Sequence, residues 1–274
     1  MPDAARVSLN TATVRARWSL RQCIDGCARH GIGGIAPWRD KLAECGVAEA
    51  ARMIADHGLH VSGLCRGGMF PAADAQGLQA ALDDNRRAVD EAVAIGAACL
   101  VLVVGGMPSG SKDLALARRQ VEDGIGSTLE HARACGMPLA IEPLHPMYAA
   151  DRACVNTMAQ ANAICDALGP GVGIALDVYH VWWDPDLAAQ IARAGAKRLL
   201  AFHVCDWLVP TRDLLLDRGM MGDGVIDIPA IRAAVEAEGF SGAVEVEIFS
   251  ADNWWKRDPD EVLRTLVERC ATVV

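Results

Sequence analysis

Eight short strand-like runs, separated by helical stretches, constrain this chain more than any other feature. They read RVSLN, IGGIAPW, HVSGLC, ACLVLVVGG, MPLAIEP, GVGIALDV, RLLAFHV and GAVEVEIF. Between them, stretches such as SLRQCIDGCARH, GVAEAARMIADH, LQAALDDNRRAVDEAVAIG and ARRQVEDGIGSTLEHARACG carry apolar residues at three-and-four spacing, the mark of an amphipathic helix. Gly58, Gly96, Gly136 and Gly239 follow helical stretches, where a left-handed residue ends a helix. DIPAIRAAVEAEG and DPDEVLRTLVERC open on Asp and Pro, as helix N-termini do. Strand followed by helix, eight times, predicts an α/β fold: a single (β/α)8 TIM barrel over residues 1–274, with its active site at the C-terminal strand ends. A doubly wound open sheet is the competing architecture. No GxGxxG or P-loop follows the first strand, and eight units suit closure.

Composition narrows the class. Of 274 residues, 52% are hydrophobic and 22% charged, which predicts a well-buried core rather than disorder. The net charge of −9 argues against a nucleic-acid surface, since displacing counterions from phosphates takes clustered Lys and Arg. No apolar stretch approaches the length of a membrane span, and MPDAARVSLNTATVRARW lacks a signal-peptide pattern. A cytoplasmic enzyme is therefore expected, with no membrane or nucleic-acid partner. The ten cysteines include no CxxC, so free buried thiols are expected.

Close to the C-terminal ends of the runs in the second half stand Glu142, Asp177, His203 and Glu247. A single acidic residue at a strand end is ordinarily a helix cap or a solvated loop group. Four on consecutive units would converge on one side of the barrel mouth, and three crowded carboxylates repel one another unless a cation is present. One His and three carboxylates make a hard set suited to one divalent ion, Mn²⁺ first, with Mg²⁺, Co²⁺ or Zn²⁺ as alternatives. Glu245 shares a strand face with Glu247 and is expected one layer deeper.

The motifs IEPLHP, VNTMAQA, LDVYHVWWD, FHVCDW, RGMMGDGVID and VEVEIF run in order from Ile141 to Phe249. As an ordered set they resemble the xylose-isomerase-like sugar isomerases and epimerases, nearest in pattern to inosose isomerases and ketose 3-epimerases. That resemblance implies that Glu142, Asp177, His203 and Glu247 hold one metal, and that the two glutamates move a substrate proton from opposite faces. It implies that His180 and Arg218 contact substrate. Its relatives commonly have proline where Met221 stands. The chemistry implied is isomerisation or epimerisation of a small keto sugar or keto-cyclitol through a metal-stabilised enediolate. The alternative on the same scaffold is a lyase of the inosose or dehydroshikimate dehydratase type. A nuclease of the endonuclease IV kind would need several more histidines, where the second, third and fourth strand ends offer Trp38, Arg66 and Gly105.

His145 and Asp206 repeat the spacing of His180, each standing three residues beyond a strand-end ligand candidate. His145 is read as a pocket or solvated loop residue, and Asp206 as a loop hydrogen-bonding group. Arg66, beside Gly67 and Gly68, suits a carboxylate or phosphate, or a rim salt bridge. Gly105 and Gly106 are expected to let backbones pack closely. Trp38 and the pairs Trp182-Trp183 and Trp254-Trp255 fall on mouth-side loops, as apolar walls for a sugar or, for the two pairs read as exposed, as a homodimer contact.

Overall fold

A computed structural model describes residues 4–274. Its strands are β1 (Val7–Asn10), β2 (Gly34–Ala36), β3 (His60–Val61), β4 (Leu64–Gly68), β5 (Leu100–Val103), β6 (Leu139–Ile141), β7 (Val172–Asp177), β8 (Leu199–Val204), β9 (Asp206–Trp207), β10 (Arg218–Gly219) and β11 (Val244–Val246). Nine of them form one parallel sheet in the order β3-β2-β1-β11-β8-β7-β6-β5-β4. The two ends of that order, β3 and β4, are the halves of one expected strand, HVSGLC, interrupted at Ser62-Gly63. Single bridges join Trp38 to Cys65 and Val61 to Ala97 across the interruption. The sheet thus returns on itself as the expected barrel. The pair β9–β10 is antiparallel and stands outside it, in the loop beyond β8.

Strand alternation sorts side chains between two cores. Outward residues such as Leu100, Leu102, Ile141, Leu176 and Phe202 join the large cluster packed under the surrounding helices. Inward residues are small: Cys65, Val101, Ala140, Ala175 and Ala201 form a separate cluster inside the barrel. Small residues leave room at that level, and the polar side chains of the strand ends stand over them. Successive residues of a strand face opposite ways, so Ala140, Ala175 and Ala201 inside are followed by Ile141, Leu176 and Phe202 outside.

The helices begin and end as their sequences predict. Ser19 and Gln22 form a reciprocal capping box at the start of Leu20–His30, and Gly31 closes it in the left-handed region. Asp227 and Asp258 cap Ile228–Ala237 and Pro259–Thr272 through side-chain oxygens. All ten cysteines are free. Burial pushes the Cys23 and Cys270 thiols up to about 12, so they act as small apolar residues. Among the described residues, no helix is long and apolar enough to cross a membrane.

The end of β4 depends on a glycine. Gly68 has φ +103°, and a Cβ there would lie 2.0 Å from the Val103 carbonyl oxygen. Gly68→Ala should therefore cost about 3 kcal/mol or more of unfolding free energy in urea. Gly110→Ala, also at positive φ (+80°) but with nothing within 4 Å, is the control and should lose only about 1 kcal/mol. Equal losses would show that backbone conformation alone, and not the β4–β5 contact, sets the cost.

Candidate metal centre and its cleft

The four strand-end residues converge. One donor atom from each of Glu142, Asp177, His203 and Glu247 lies within 4.8 Å of all the others, and all four residues are buried. Register explains part of this: Asp177 on β7 is paired with His203 on β8. His203 is paired in turn with Glu245 on β11, yet Glu247 is the one that joins the cluster. Strands in a closed barrel are tilted and staggered, so a residue two positions further along reaches the same height.

Glu245 occupies the layer below. Asn10 Nδ2 donates to it at 2.7 Å and Ser62 Oγ at 2.7 Å, while His203 Nε2 stands 3.4 Å from its Oε1. His203 Nδ1 lies 3.0 Å from Glu142 Oε1. With Nε2 carrying a proton toward Glu245, the Nδ1 lone pair points into the cluster; a carboxylate behind an imidazole is how a ligating histidine is commonly oriented. Nε2 is buried and makes no hydrogen bond, so the ring is held by its Nδ1 contact with Glu142, by the charge of Glu245 and by packing.

Electrostatics in the cluster are unbalanced. Burial, and next to it the Glu142 carboxylate, pushes Glu247 up to about 7, against the opposing charge of Arg218. Burial also raises Asp177, with Arg218 opposing. At His203 burial disfavours the cation, but the carboxylates of Glu245, Glu142 and Glu247 outweigh it and hold the ring well above the usual histidine range. Protons are thus bound where carboxylates crowd. A divalent cation answers the same imbalance, and three carboxylates with one imidazole nitrogen is a donor set that fits it.

Arg218 lies in the same group. Nη1 donates to Asp177 Oδ2 at 3.0 Å and to Glu247 Oε2 at 3.3 Å, and Nη2 lies 3.2 Å from His180 Nε2. The guanidinium stacks 4.4 Å from the Tyr179 ring centroid and 5.1 Å from that of Phe249. Its Nε is buried without a partner. His180 is enclosed: the His145 N–H donates to its Nδ1 at 3.2 Å, and burial, then Arg218, drives its titration well below the usual range.

Above the cluster opens a cleft of about 430 Å³, its mouth included. Trp38, Arg66, His180 and Arg218, four of the five substrate-contact candidates, line it. The fifth, His145, is not among the lining residues. Its ring packs against Trp207 at 5.0 Å and its Nδ1 accepts from the Met147 N–H, so its place is behind His180. Asp206 organises the next loop, accepting from the backbone N–H groups of Gly222, Gly224 and Ile226. The shared three-residue spacing thus carries two jobs: histidines at one remove from the cluster, and a loop anchor.

Three further residues contribute that were not among the expected site residues. Asn10 Nδ2 also donates to Glu247 Oε1 at 3.0 Å, and Asn10 Oδ1 accepts from Trp38 Nε1 at 2.9 Å. Asn10 ends the first run, so the strand-end rule applied to the first half of the chain finds it. Tyr148 and Arg152 also line the cleft, from the loop after β6. No sequence pattern marks them.

The exposed tryptophan pairs are a correction. Trp254 is buried and Trp182, Trp183 and Trp255 are partly so. Trp254 Nε1 donates to Asp223, Trp255 Nε1 to Ala12 and Ile248 carbonyls, and Trp183 Nε1 to the His180 carbonyl. An indole placed beside an acceptor turns inward, and the argument for a homodimer from these pairs lapses.

Comparison with known proteins agrees with this architecture. Residues 24–269 match the family model described as xylose isomerase-like TIM barrel. Over 153 residues the chain is 27% identical to an inosose isomerase of Halalkalibacterium halodurans, covering 53% of this chain and 51% of that protein. The chain thus spans about half the length of the curated relatives it matches. Protein SMc04130 of Sinorhizobium meliloti 1021 has a crystal structure that superposes with a TM-score of 0.98 at 63% identity over 99% of each chain. The IOLI protein, crystallised with a zinc atom, superposes with a TM-score of 0.85 at 21% identity over 98% of each chain. The chain belongs to the xylose isomerase-like TIM-barrel family.

Proposed function

We propose that this protein is a divalent-metal-dependent isomerase or epimerase of a small keto sugar or keto-cyclitol. The observation that carries the reading is the buried convergence of Glu142, Asp177, His203 and Glu247, two of which, Glu142 and Glu247, also line the cleft with Trp38, Arg66, His180 and Arg218. These four residues would hold one divalent ion, with Mn²⁺ the first expectation for so oxygen-rich a set. When bound, such an ion acidifies the carbon-bound hydrogen between a carbonyl and its neighbouring hydroxyl.

The protein's own groups supply the rest. Glu247, with its proton affinity near neutrality, is suited to take and return a proton at that carbon, and Glu142 to serve the opposite face. Asn10 fixes the Glu247 carboxylate, and Arg218, held by Asp177 and Glu247, presents its edge to the cleft. The aromatic faces of Trp38 and Phe249 bury the C–H surface of a ring and exclude water. Proton return to the same carbon gives epimerisation, and return to its neighbour gives isomerisation. A screen of keto sugars and keto-cyclitols in D₂O, read by NMR, tests this. Deuterium beside the carbonyl supports it; a growing ultraviolet enone band would replace it by a dehydratase.

Metal affinity should depend on pH with a defined sign. Binding must displace the proton of Glu247, held up to about 7, and that of His203, held well above the usual range. Both protons oppose binding, so affinity should fall as pH is lowered, by up to about a hundred-fold per pH unit where both groups are protonated, and less steeply above pH 7, where Glu247 has lost its proton. Mn²⁺ titration calorimetry between pH 6 and 8 reads this directly. An affinity independent of pH would remove these two groups from the ligand set.

A further inference from the structure

Part-buried arginines in this chain have fixed acceptors, with two exceptions. Arg39 is held by Asp84 and Glu91, Arg198 by Asp166, Arg269 by the Met221 carbonyl, and Arg218 by Asp177 and Glu247. Among the described residues, only Arg66 and Arg152 are partly buried arginines whose guanidinium meets neither carboxylate nor carbonyl. Both line the same cleft, with the metal centre at its floor. Arg152 lies over the face of Tyr148, with its guanidinium carbon 5.8 Å from the ring centroid.

Both positions are built. Arg66 is the extra residue where the β4–β5 register shifts between Cys65 and Gly67, and such a bulge re-aims a side chain. Arg152 sits on a loop stitched to the end of β5: Met107 N–H donates to the Ala150 carbonyl, and Cys154 N–H to that of Gly105. A Cβ on Gly106 would lie 2.5 Å from the Ala150 oxygen, so this docking needs the glycine. Gly105 and Gly106 therefore do let backbones close, and what they bring in is Arg152. Burial, and then the charge of Arg152, lowers the proton affinity of Arg66. Two half-desolvated cations facing one space repel until an anion enters it.

We infer that the cleft takes an oxyanionic substrate, a hydroxy ketone bearing a carboxylate or phosphate seated between Arg66 and Arg152. The metal-centre carboxylates belong to other elements and are answered by Arg218 and the expected cation, so these two guanidinium groups remain for the ligand. Arginine forks match the planar carboxylate and the phosphate oxygens alike. The inference rests on the proposed reaction for the other end of the substrate.

The test compares D-fructose, D-fructose 6-phosphate and 5-keto-D-gluconate by calorimetry on the Mn²⁺-loaded protein, with inorganic phosphate as competitor. One of the two anions should bind at least about ten-fold tighter than the neutral ketose, and phosphate should compete with it in the millimolar range. Whichever anion wins identifies the oxyanion. Arg66→Gln and Arg152→Gln should each collapse the anion-to-neutral ratio, while melting temperature and Mn²⁺ affinity stay at wild-type values. No charge preference in the wild type, no binding by either anion or phosphate, or equal weakening of neutral and anionic ligands would each overturn the inference. Deuterium exchange on the neutral ketose separates the two readings. Exchange without charge preference sinks only the oxyanion site; charge-selective binding without exchange sinks only the isomerase.

Discussion

Glu247→Gln and Glu142→Gln should each lower turnover about a thousand-fold or more, while each variant keeps proton exchange on one face of the substrate. The amide retains an oxygen to offer a cation but cannot accept a proton. In D₂O, one variant should exchange the proton of one epimer only, and the other variant that of its partner. Asp177→Asn or His203→Gln should instead weaken metal binding and slow exchange from both faces together. The distinction follows from the structure, where Glu142 and Glu247 line the cleft while Asp177 and His203 are not among its lining residues. Full epimerisation by either glutamate variant with metal retained would remove that residue from proton transfer.

Arg218→Met should be the most damaging stability change in the cleft when metal is withheld. It leaves Asp177 and Glu247 buried with no guanidinium between them. Removing one partner of a buried charge group costs about 3–5 kcal/mol, because the survivors are left uncompensated. Urea unfolding of the metal-free variant at pH 8 should show that loss. The loss should shrink toward pH 6, because the orphaned carboxyls, Glu247 already near 7, take up protons instead. Saturating Mn²⁺ should recover part of it. A loss below about 1 kcal/mol at pH 8 would show that this arginine contributes little to charge balance.

How far the sequence reveals this molecule depends on the range of each interaction. The barrel is legible because every βα unit repeats a local pattern, period two and then period 3.6, with glycine and Asp-Pro at the joints. The break in the third strand is not, because HVSGLC reads as one short run and the interruption at Ser62-Gly63 depends on pairing with its two neighbours. Four site residues are legible because each stands at the C-terminal end of its own strand, and Glu247 is chosen over Glu245 because, on the same face, it lies nearer that end. Asn10 obeys the same rule in the half of the chain that carries fewer motifs. Arg152 does not obey it. Its position depends on a loop whose shape is set by Gly105 and Gly106, more than forty residues earlier. The tryptophan pairs read as exposed because the acceptors that hold the indoles of Trp183, Trp254 and Trp255 are assembled only once the loops have folded.

The central claim is metal-dependent proton transfer by carboxylates of one buried cluster, and deuterium incorporation reads it most directly. Protein stripped with chelator and protein reloaded with one equivalent of Mn²⁺ would be incubated with the ketose and keto-cyclitol panel in D₂O and followed by NMR. The account predicts deuterium on the carbon beside the carbonyl of at least one panel member with metal restored, and at least a hundred-fold slower incorporation without it. Incorporation at equal rates in both samples, or none in the reloaded sample while an enone accumulates, would contradict it.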